Sequence, residues 1–335
     1  MKRASILSPF LLLLWGCQRS QSTLYPKGPA ADKIAHMSWL MLILFLAITV
    51  VMWILLTWAI SRRRGTLAEH EPVDTGGGQG WIAWGGLAFP LAVLSVLFIL
   101  GLKLMASFPV HDAHHANLRP EITIIGHEWW WEVQYTGPLT QRFTTANEIH
   151  VPVGRPVDIE LRSLDVIHSF WVPTLHGKVD LIPDHPNFIR IQADQVGVYT
   201  GTCAEYCGAQ HAHMRLLVVA QQPLDYEAWL QGQLQPGAEP ASDEAKQGEQ
   251  IFMSGPCALC HQVRGTLAGG RVAPDLTHIG SRLEIAANSY PNNAAYLEAW
   301  VTHAQSLKPE AAMPDITQYN GQQLRDIVAY LRQLR

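Results

Sequence analysis

Two long apolar runs constrain this chain more than any other feature. Residues 37 to 60, from Met37 to Ile60, carry no charge. At about 1.5 Å rise per residue, that run reaches roughly 36 Å as a helix. This is enough to cross a hydrocarbon core of about 30 Å with some tilt. A second run, 81 to 104, contains Pro90, which a membrane helix tolerates because neighbouring groups re-satisfy the freed backbone. Arg62, Arg63 and Arg64 follow the first run directly. Basic residues mark the cytoplasmic side, so the connecting loop lies inside and both flanks lie outside. Trp39, Trp58, Trp81 and Trp84 fall near the ends of the runs, where interfacial indoles anchor. The expectation is a transmembrane hairpin over 30–106, with everything after about residue 106 on the outer face.

The first residues give the same orientation. Lys2 and Arg3 precede a short apolar stretch ending at Cys17, too short to span and shaped like an export signal. Leu14 and Gly16 before that cysteine resemble a bacterial lipoprotein processing site, so 1–17 reads as a signal peptide and lipobox. A net charge of -4 gives no electrostatic footprint for nucleic acid.

Residues 118–225 read as an all-β domain. Ile122–Ile125, Val157–Leu161, Phe188–Ile191 and Leu216–Val219 are short apolar or alternating runs, punctuated by Pro152, Gly154, Pro156, Pro183, Pro186 and Gly197. Short strands at such spacing predict a sandwich, here expected to be antiparallel and Greek-key. Within it, Cys203 to Met214 gathers two thiols, an imidazole (His211) and a thioether into twelve residues. Soft thiolate and thioether donors select copper over magnesium or calcium. Two cysteines in one loop can bridge two coppers, and a second histidine is then needed. His168 is the best placed. A redox-active dithiol is the competing reading of Cys-x-x-x-Cys. Met214 is the single methionine between Met105 and Met253, so the thioether role has no rival in the domain. His213 reads as a surface residue, and His111, His114 and His115 as solvated linker.

Residues 236–247 form a polar linker, and 242–335 an all-α domain. Cys257-Ala-Leu-Cys260-His261 is the attachment pattern of a c-type haem. Cys257 and Cys260 would form the thioethers and His261 would be the proximal ligand. Met313, the single methionine after Met253, is the natural distal ligand, with His278 and His303 as competitors. A Met/His pair raises a haem's potential. Leu324, Ile327, Val328, Leu331 and Leu334 recur at helical spacing near the end.

These residues resemble a known family. From about residue 30 to 230 the chain is similar to subunit II of the haem-copper cytochrome c oxidases, and its C-terminal part resembles a class I cytochrome c. The resemblance implies a two-helix transmembrane hairpin, an all-β cupredoxin Greek-key sandwich and an all-α cytochrome c domain. It implies two copper ions held by His168, Cys203, Cys207, His211, Met214 and the backbone carbonyl of Glu205. The Glu205 carboxylate would face a magnesium shared with subunit I. Gly126-His-Glu-Trp129-Trp-Trp-Glu resembles the family's aromatic patch, with Trp129 as the surface point of electron entry. Three consecutive indoles cannot share one face of a strand, so at least one is expected to be exposed. Asp158, Glu160, Asp165 and Asp184 are candidate docking charges for a donor. Pro274 resembles the residue whose carbonyl orients the haem histidine. The chain departs from its relatives in having no carboxylate shortly before Pro90; the nearest are Asp74, Glu71 and Glu69.

The function implied is that of the electron-entry subunit of a respiratory oxidase in the bacterial inner membrane. Electrons would pass from a soluble or membrane-bound cytochrome c to the fused, covalently bound haem c, then to binuclear copper, then to the haem of subunit I. Oxygen reduction and proton translocation belong to the complex with subunits I and III, and this chain has no oxygen-reducing site. Three other readings compete. A membrane-anchored copper metallochaperone with a thiol-redox pair predicts a thioredoxin-like helix after the cysteines. A quinol oxidase subunit would lack the copper ligands. A stand-alone electron carrier would not need the hairpin.

Overall fold

The computed structural model describes residues 21–62, 78–108, 120–137 and 141–335. The signal and lipobox at 1–17, Arg63, Arg64, the three carboxylates before Pro90 and the cluster His111, His114 and His115 lie outside the described residues. Two compact units are present: the segment Lys33–Val110, and the remainder of the chain.

The first unit is a pair of helices, α1 (Pro29–Ser61) and α2 (Gly78–Ala106). Both are long and apolar enough to cross a membrane; α1 starts about two turns before the expected span of 37–60, and α2 extends less than a turn beyond 81–104 at either end. Within α2, Ile82–Ala88 takes π-helical pairing ahead of Phe89-Pro90. A wider turn accommodates the missing proline N–H and its ring. Lys33 Nζ donates to the Ser107 carbonyl at 3.1 Å, tying the start of α1 to the end of α2. The Arg62 guanidinium stacks on Trp58, 4.4 Å from the ring centroid. Large apolar side chains such as Ile43, Trp53, Leu91 and Phe98 point outward along both helices, a surface that water would not tolerate and lipid does.

The second unit begins with ten strands: β1 (Ile122–His127), β2 (Trp130–Thr136), β3 (Arg142–Ala146), β4 (Glu148–Pro152), β5 (Val157–Ser163), β6 (His168–Trp171), β7 (Val179–Leu181), β8 (Asn187–Ile191), β9 (Gly197–Cys203) and β10 (Arg215–Gln221). They form two five-stranded sheets, ordered β3-β2-β1-β5-β8 and β4-β10-β9-β6-β7. The four expected strands are all present. The expectation of a wholly antiparallel sandwich is corrected, because β1 pairs with β5 and β4 with β10 in parallel. Each parallel pair joins strands whose connection crosses between sheets, so a hairpin turn cannot set their direction. Trp131, Phe170, Ile124, Ile159, Leu161 and Leu181 are wholly buried between the sheets, each worth about 1.5–3 kcal/mol by area. Helix α3 (Pro223–Leu234) closes one end, stacking Trp229 on His150 with centroids 3.9 Å apart.

A helical domain follows: α4 (Asp243–Ser254), α5 (Cys257–Cys260), α6 (Ala294–Thr302), α7 (Ala304–Leu307) and α8 (Gly321–Gln333), with a short ribbon of β11 (Glu284–Ile285) and β12 (Tyr290–Pro291). Ser242 caps α4 by accepting from the Ala245 N–H. Residues 243–247, assigned to the linker from sequence, therefore belong to this helix. Their Pro/Gly-poor, acidic composition is that of a first helical turn. Asn320 caps α8 in a capping box with Gln323. Helices α4 and α8 cross in direct backbone contact at Gly248, where a Cβ would lie 1.9 Å from the Asp326 carbonyl oxygen. Phe252, Leu324, Ile327, Tyr330 and Leu331 form the core beside this crossing.

Candidate metal centres

The hairpin of β9 and β10 builds the first site. Cys203 ends β9 and Met214 precedes β10, and the Cys203 N–H donates to the Met214 carbonyl at 2.9 Å. The loop between them is thus closed at its base. Strand β6 lies beside β9, with Phe170 opposite Cys203. His168, two residues earlier on β6, therefore arrives on the same side as the cysteine thiol. Its ring fits because position 126 on the facing sheet is glycine; a Cβ there would come within 2.6 Å of the imidazole.

The donor atoms converge. Cys203 Sγ and Cys207 Sγ are 3.7 Å apart, far beyond the ~2.05 Å of a disulfide, and both are free thiols. His168 Nδ1 lies 3.9 Å from Cys203 Sγ, and the Glu205 carbonyl 3.2 Å from it. His211 Nδ1 is 3.6 Å and Met214 Sδ 3.8 Å from Cys207 Sγ. The potential ligand atoms of His168, Cys203 and Cys207 all fall within 4.8 Å of one another. His168, Cys203, Cys207 and Met214 are buried. The six sequence-predicted groups therefore come together, four of them around the pair of sulfurs that makes up the other two. Two thiolates, two imidazole nitrogens, a thioether and a carbonyl form a donor set that fits copper.

Electrostatics prepares the set. Asp165 Oδ1 accepts from His168 Nε2 at 2.7 Å. The carboxylate can only accept, so Nε2 carries a proton and Nδ1 is the ring atom left facing the sulfurs, available to a metal once it gives up any proton of its own. Burial alone lowers the His168 pKa, but Asp165 and the Cys203 sulfur outweigh it and raise it to about 9. The adjacent Cys207 thiol, with help from His168, lowers Cys203 to about 3. The Cys203 thiolate and burial in turn hold Cys207 well above the ordinary thiol range. A first thiolate forms readily, and the second needs a cation beside it. Asp165, a candidate docking charge from sequence, is instead committed to His168, and the Asp-x-x-His spacing is the signal that points there. Asp158 and Glu160 are likewise taken up internally, by Arg190 and Arg162. Asp184 remains exposed. The Glu205 carboxylate pairs with Lys178 at 3.5 Å, and His213 is exposed, with Nδ1 on Gln210.

Trp129 is corrected as a surface group, for it is only 7% exposed. Its indole N–H donates to the Cys207 carbonyl at 2.8 Å. Gly208 takes a left-handed φ of +111°, and a Cβ there would come within 2.9 Å of the indole. Trp131 is buried and Trp130 half-buried, stacked on His127 with centroids 4.3 Å apart. None of the three indoles is fully exposed: 129 precedes the strand, 131 enters the core, and 130 is covered by the His127 ring.

The second site is on the helical domain. Cys257 and Cys260 open and close α5, the first half-buried and the second exposed. His261 Nδ1 donates to the Pro274 carbonyl at 2.7 Å, which leaves Nε2 free as a ligand. Burial lowers the His261 pKa, favouring the neutral ring a metal needs. Met313 packs on the core of this domain. His303 is exposed, and His278 Nε2 is engaged by the Gln235 carbonyl at 3.2 Å. Two cysteines, a tautomerically fixed histidine and a thioether on one small core fit a covalently attached haem.

Similarity to known proteins concerns the two domains that carry these residues. Residues 138–221 match the family described as cytochrome c oxidase subunit II, periplasmic domain, and residues 245–335 match the cytochrome c family. The chain is 33% identical over 333 residues to cytochrome c oxidase subunit 2 of Alkalihalophilus pseudofirmus, covering 98% of this chain and 96% of that one. It is 29% identical to cytochrome c oxidase subunit 2 of Bacillus subtilis, covering 89% of this chain and 87% of the relative. Quinol oxidase subunit 2 of Bacillus cereus is 26% identical, over 68% of this chain and 79% of its own length.

Proposed function

Because the chain belongs to the subunit II family of cytochrome c oxidases, with a cytochrome c domain joined behind, we propose that it is the electron-entry subunit of a respiratory oxidase. The observation that carries this reading is the convergence of four further donors on two unbridged thiols. When bound, a copper pair and a covalent haem c would supply one-electron carriage from a cytochrome c donor toward the haem of subunit I, where oxygen is reduced and protons are translocated.

The residues divide that work. His168, Cys203, Cys207, His211, Met214 and the Glu205 carbonyl would hold the coppers. Cys257, Cys260, His261 and Met313 would hold the haem. Asp165 and the Pro274 carbonyl fix the two histidine tautomers, so neither ring must reorient during turnover. Sheet-on-sheet packing holds His168 and Cys203 rigidly, which keeps reorganisation small. Trp129 hydrogen-bonds the copper loop from beneath and would be the group through which an electron reaches it. The Glu205 carboxylate, half-exposed beside Lys178, would face subunit I and a shared magnesium. The two apolar helices would anchor the chain in the bacterial inner membrane, with both soluble domains on the periplasmic side and subunits I and III as neighbours.

The chaperone reading loses support from the fold. A single turn of 3-10 helix (His211–His213) and a strand follow the cysteines, not a thioredoxin-like helix. Rapid mixing of the oxidised full chain with less than one equivalent of a small one-electron reductant tests the proposal. Haem and copper absorbances should change together toward a shared equilibrium. A haem that stays reduced beside an unchanged copper band would contradict it.

A further inference from the structure

The two soluble domains meet at the copper loop, and a buried lysine stands at that meeting. Lys308, at the end of α7, is only 3% exposed. Its Nζ donates to the carbonyls of Trp129 at 2.7 Å, His213 at 3.1 Å and Ala286 at 3.4 Å. An ammonium has three N–H donors and no acceptor, and here each donor finds one oxygen. Two of those oxygens belong to the sandwich: one on the residue whose indole bonds Cys207, the other adjacent to Met214. The third belongs to the cytochrome c domain itself.

A strained turn stands beside it. Ala286, Ala287 and Asn288 all take left-handed φ values, +55°, +56° and +56°. Each non-glycine residue in that region costs about 1–2 kcal/mol, so three in succession persist only where contacts hold them. The contacts are with the sandwich. The Arg215 N–H donates to the Ala287 carbonyl at 3.1 Å, and Asn288 Nδ2 donates to the Asn147 carbonyl at 2.9 Å. The Leu283 N–H, just ahead of the turn, donates to Glu148 Oε2 at 2.9 Å.

Burying an ammonium costs several kcal/mol unless every proton is matched. An apolar contact would hold two domains together as well, but without fixing their register. A matched buried amino group holds one register, because any slide strands a buried polar donor.

We propose that Lys308 is a positioning residue that clamps the cytochrome c domain onto the copper loop, making the fused domain a fixed donor and not a loosely tethered one. The clamp rests on the functional reading above. It fastens Lys308, five residues before Met313, to the backbone of Trp129 and of the residue before Met214. A freely tethered domain would instead find the copper loop by repeated encounter, at an effective concentration set by its linker.

The test uses the full chain in the assembled oxidase, with Lys308→Met and, separately, Asn288→Gly. Glycine keeps the left-handed backbone while deleting the bond to Asn147, so this variant decides the matter if Lys308→Met does not fold. Hydrogen exchange at the Arg215 and Leu283 amides, which donate across the interface, should quicken at least tenfold. Core amides in β1 and α8 should stay within twofold of wild type, which a general loss of structure would not allow. Haem-to-copper electron equilibration should slow at least tenfold, with haem and copper spectra unchanged. Unaltered exchange at both interface amides would overturn the clamp. Absence of the two spectra in the wild-type chain would instead overturn the functional reading on which it rests.

Discussion

Replacing Asp165 with asparagine isolates the electrostatic part of the copper site. The carboxylate has three close donors: Oδ1 accepts from His168 Nε2 and from the Val166 N–H, each at 2.7 Å, and Oδ2 accepts from the Glu128 N–H at 2.6 Å; the Ser163 hydroxyl lies at 3.5 Å from Oδ1. Every partner donates. An amide offers one oxygen and one NH2, so whichever way the substituted side chain turned, its NH2 would face a donor. If the oxygen stays on His168, the Glu128 N–H loses its acceptor and the imidazole bond loses its charge assistance. Charge-assisted bonds contribute about 1.5–3 kcal/mol against about 0.5–1.5 for neutral ones. The Asp165 side chain is 31% exposed, which screens the charge and favours the lower part of the difference, about 1–2 kcal/mol. Copper affinity should therefore fall by roughly 5- to 30-fold, with the fold intact. A competition titration of the full chain against a copper chelator measures this directly. An affinity within about threefold of wild type would refute the assignment of Asp165 as the group that orients His168.

Other outcomes follow from single contacts. Met214→Leu conserves volume in a wholly buried position and should cost under about 1.5 kcal/mol. It should nevertheless shift the copper optical band and potential, seen by redox titration. Gly248→Ala places a Cβ 1.9 Å from the Asp326 carbonyl oxygen, so it should destabilise the cytochrome c domain by at least about 1–3 kcal/mol, read as a lower melting temperature at the haem absorbance. Burial works to raise the Glu132 pKa, but hydrogen bonds from His127 and Gln134 outweigh it and lower the value. The native carboxylate thus binds its proton more weakly than the unfolded one. Its contribution is complete above the ordinary Glu range of about 4.3 and is lost as pH falls through the native value. Glu132→Gln should flatten the acid limb by lowering the melting temperature at neutral pH, while leaving the most acidic region, where the native carboxylate is already protonated, little changed.

Much of the copper site was legible because its ligands sit close in the chain. Cys203 to Met214 is one hairpin loop, and its donor types declare a soft metal without any tertiary information. His168 was reachable as well, through the need for a second imidazole. What the sequence hid was long-range. The gap at Gly126 that admits the His168 ring is set by one sheet facing the other. The exposure of Trp129 depended on a loop almost eighty residues away, and the indole is buried because Gly208 leaves room for it. Parallel pairing of β1 with β5 and of β4 with β10 leaves no mark on strand periodicity, which is the same in either direction. Asp165 was visible as a charge, but its role depends on the single atom it accepts from. Lys308 carried no signal at all: an isolated lysine in a helical segment reads as surface, and only the three carbonyls that meet it show otherwise.

Electron entry through this chain depends on a two-copper centre beside a covalent haem. Metal analysis of the purified full chain, combined with electron paramagnetic resonance, tests it most directly. Two coppers per haem are expected, with one unpaired electron shared over both coppers in the oxidised chain and a haem that survives acid–acetone extraction. One copper per haem with a localised spin, or a reducible Cys203–Cys207 disulfide in place of copper, would contradict it.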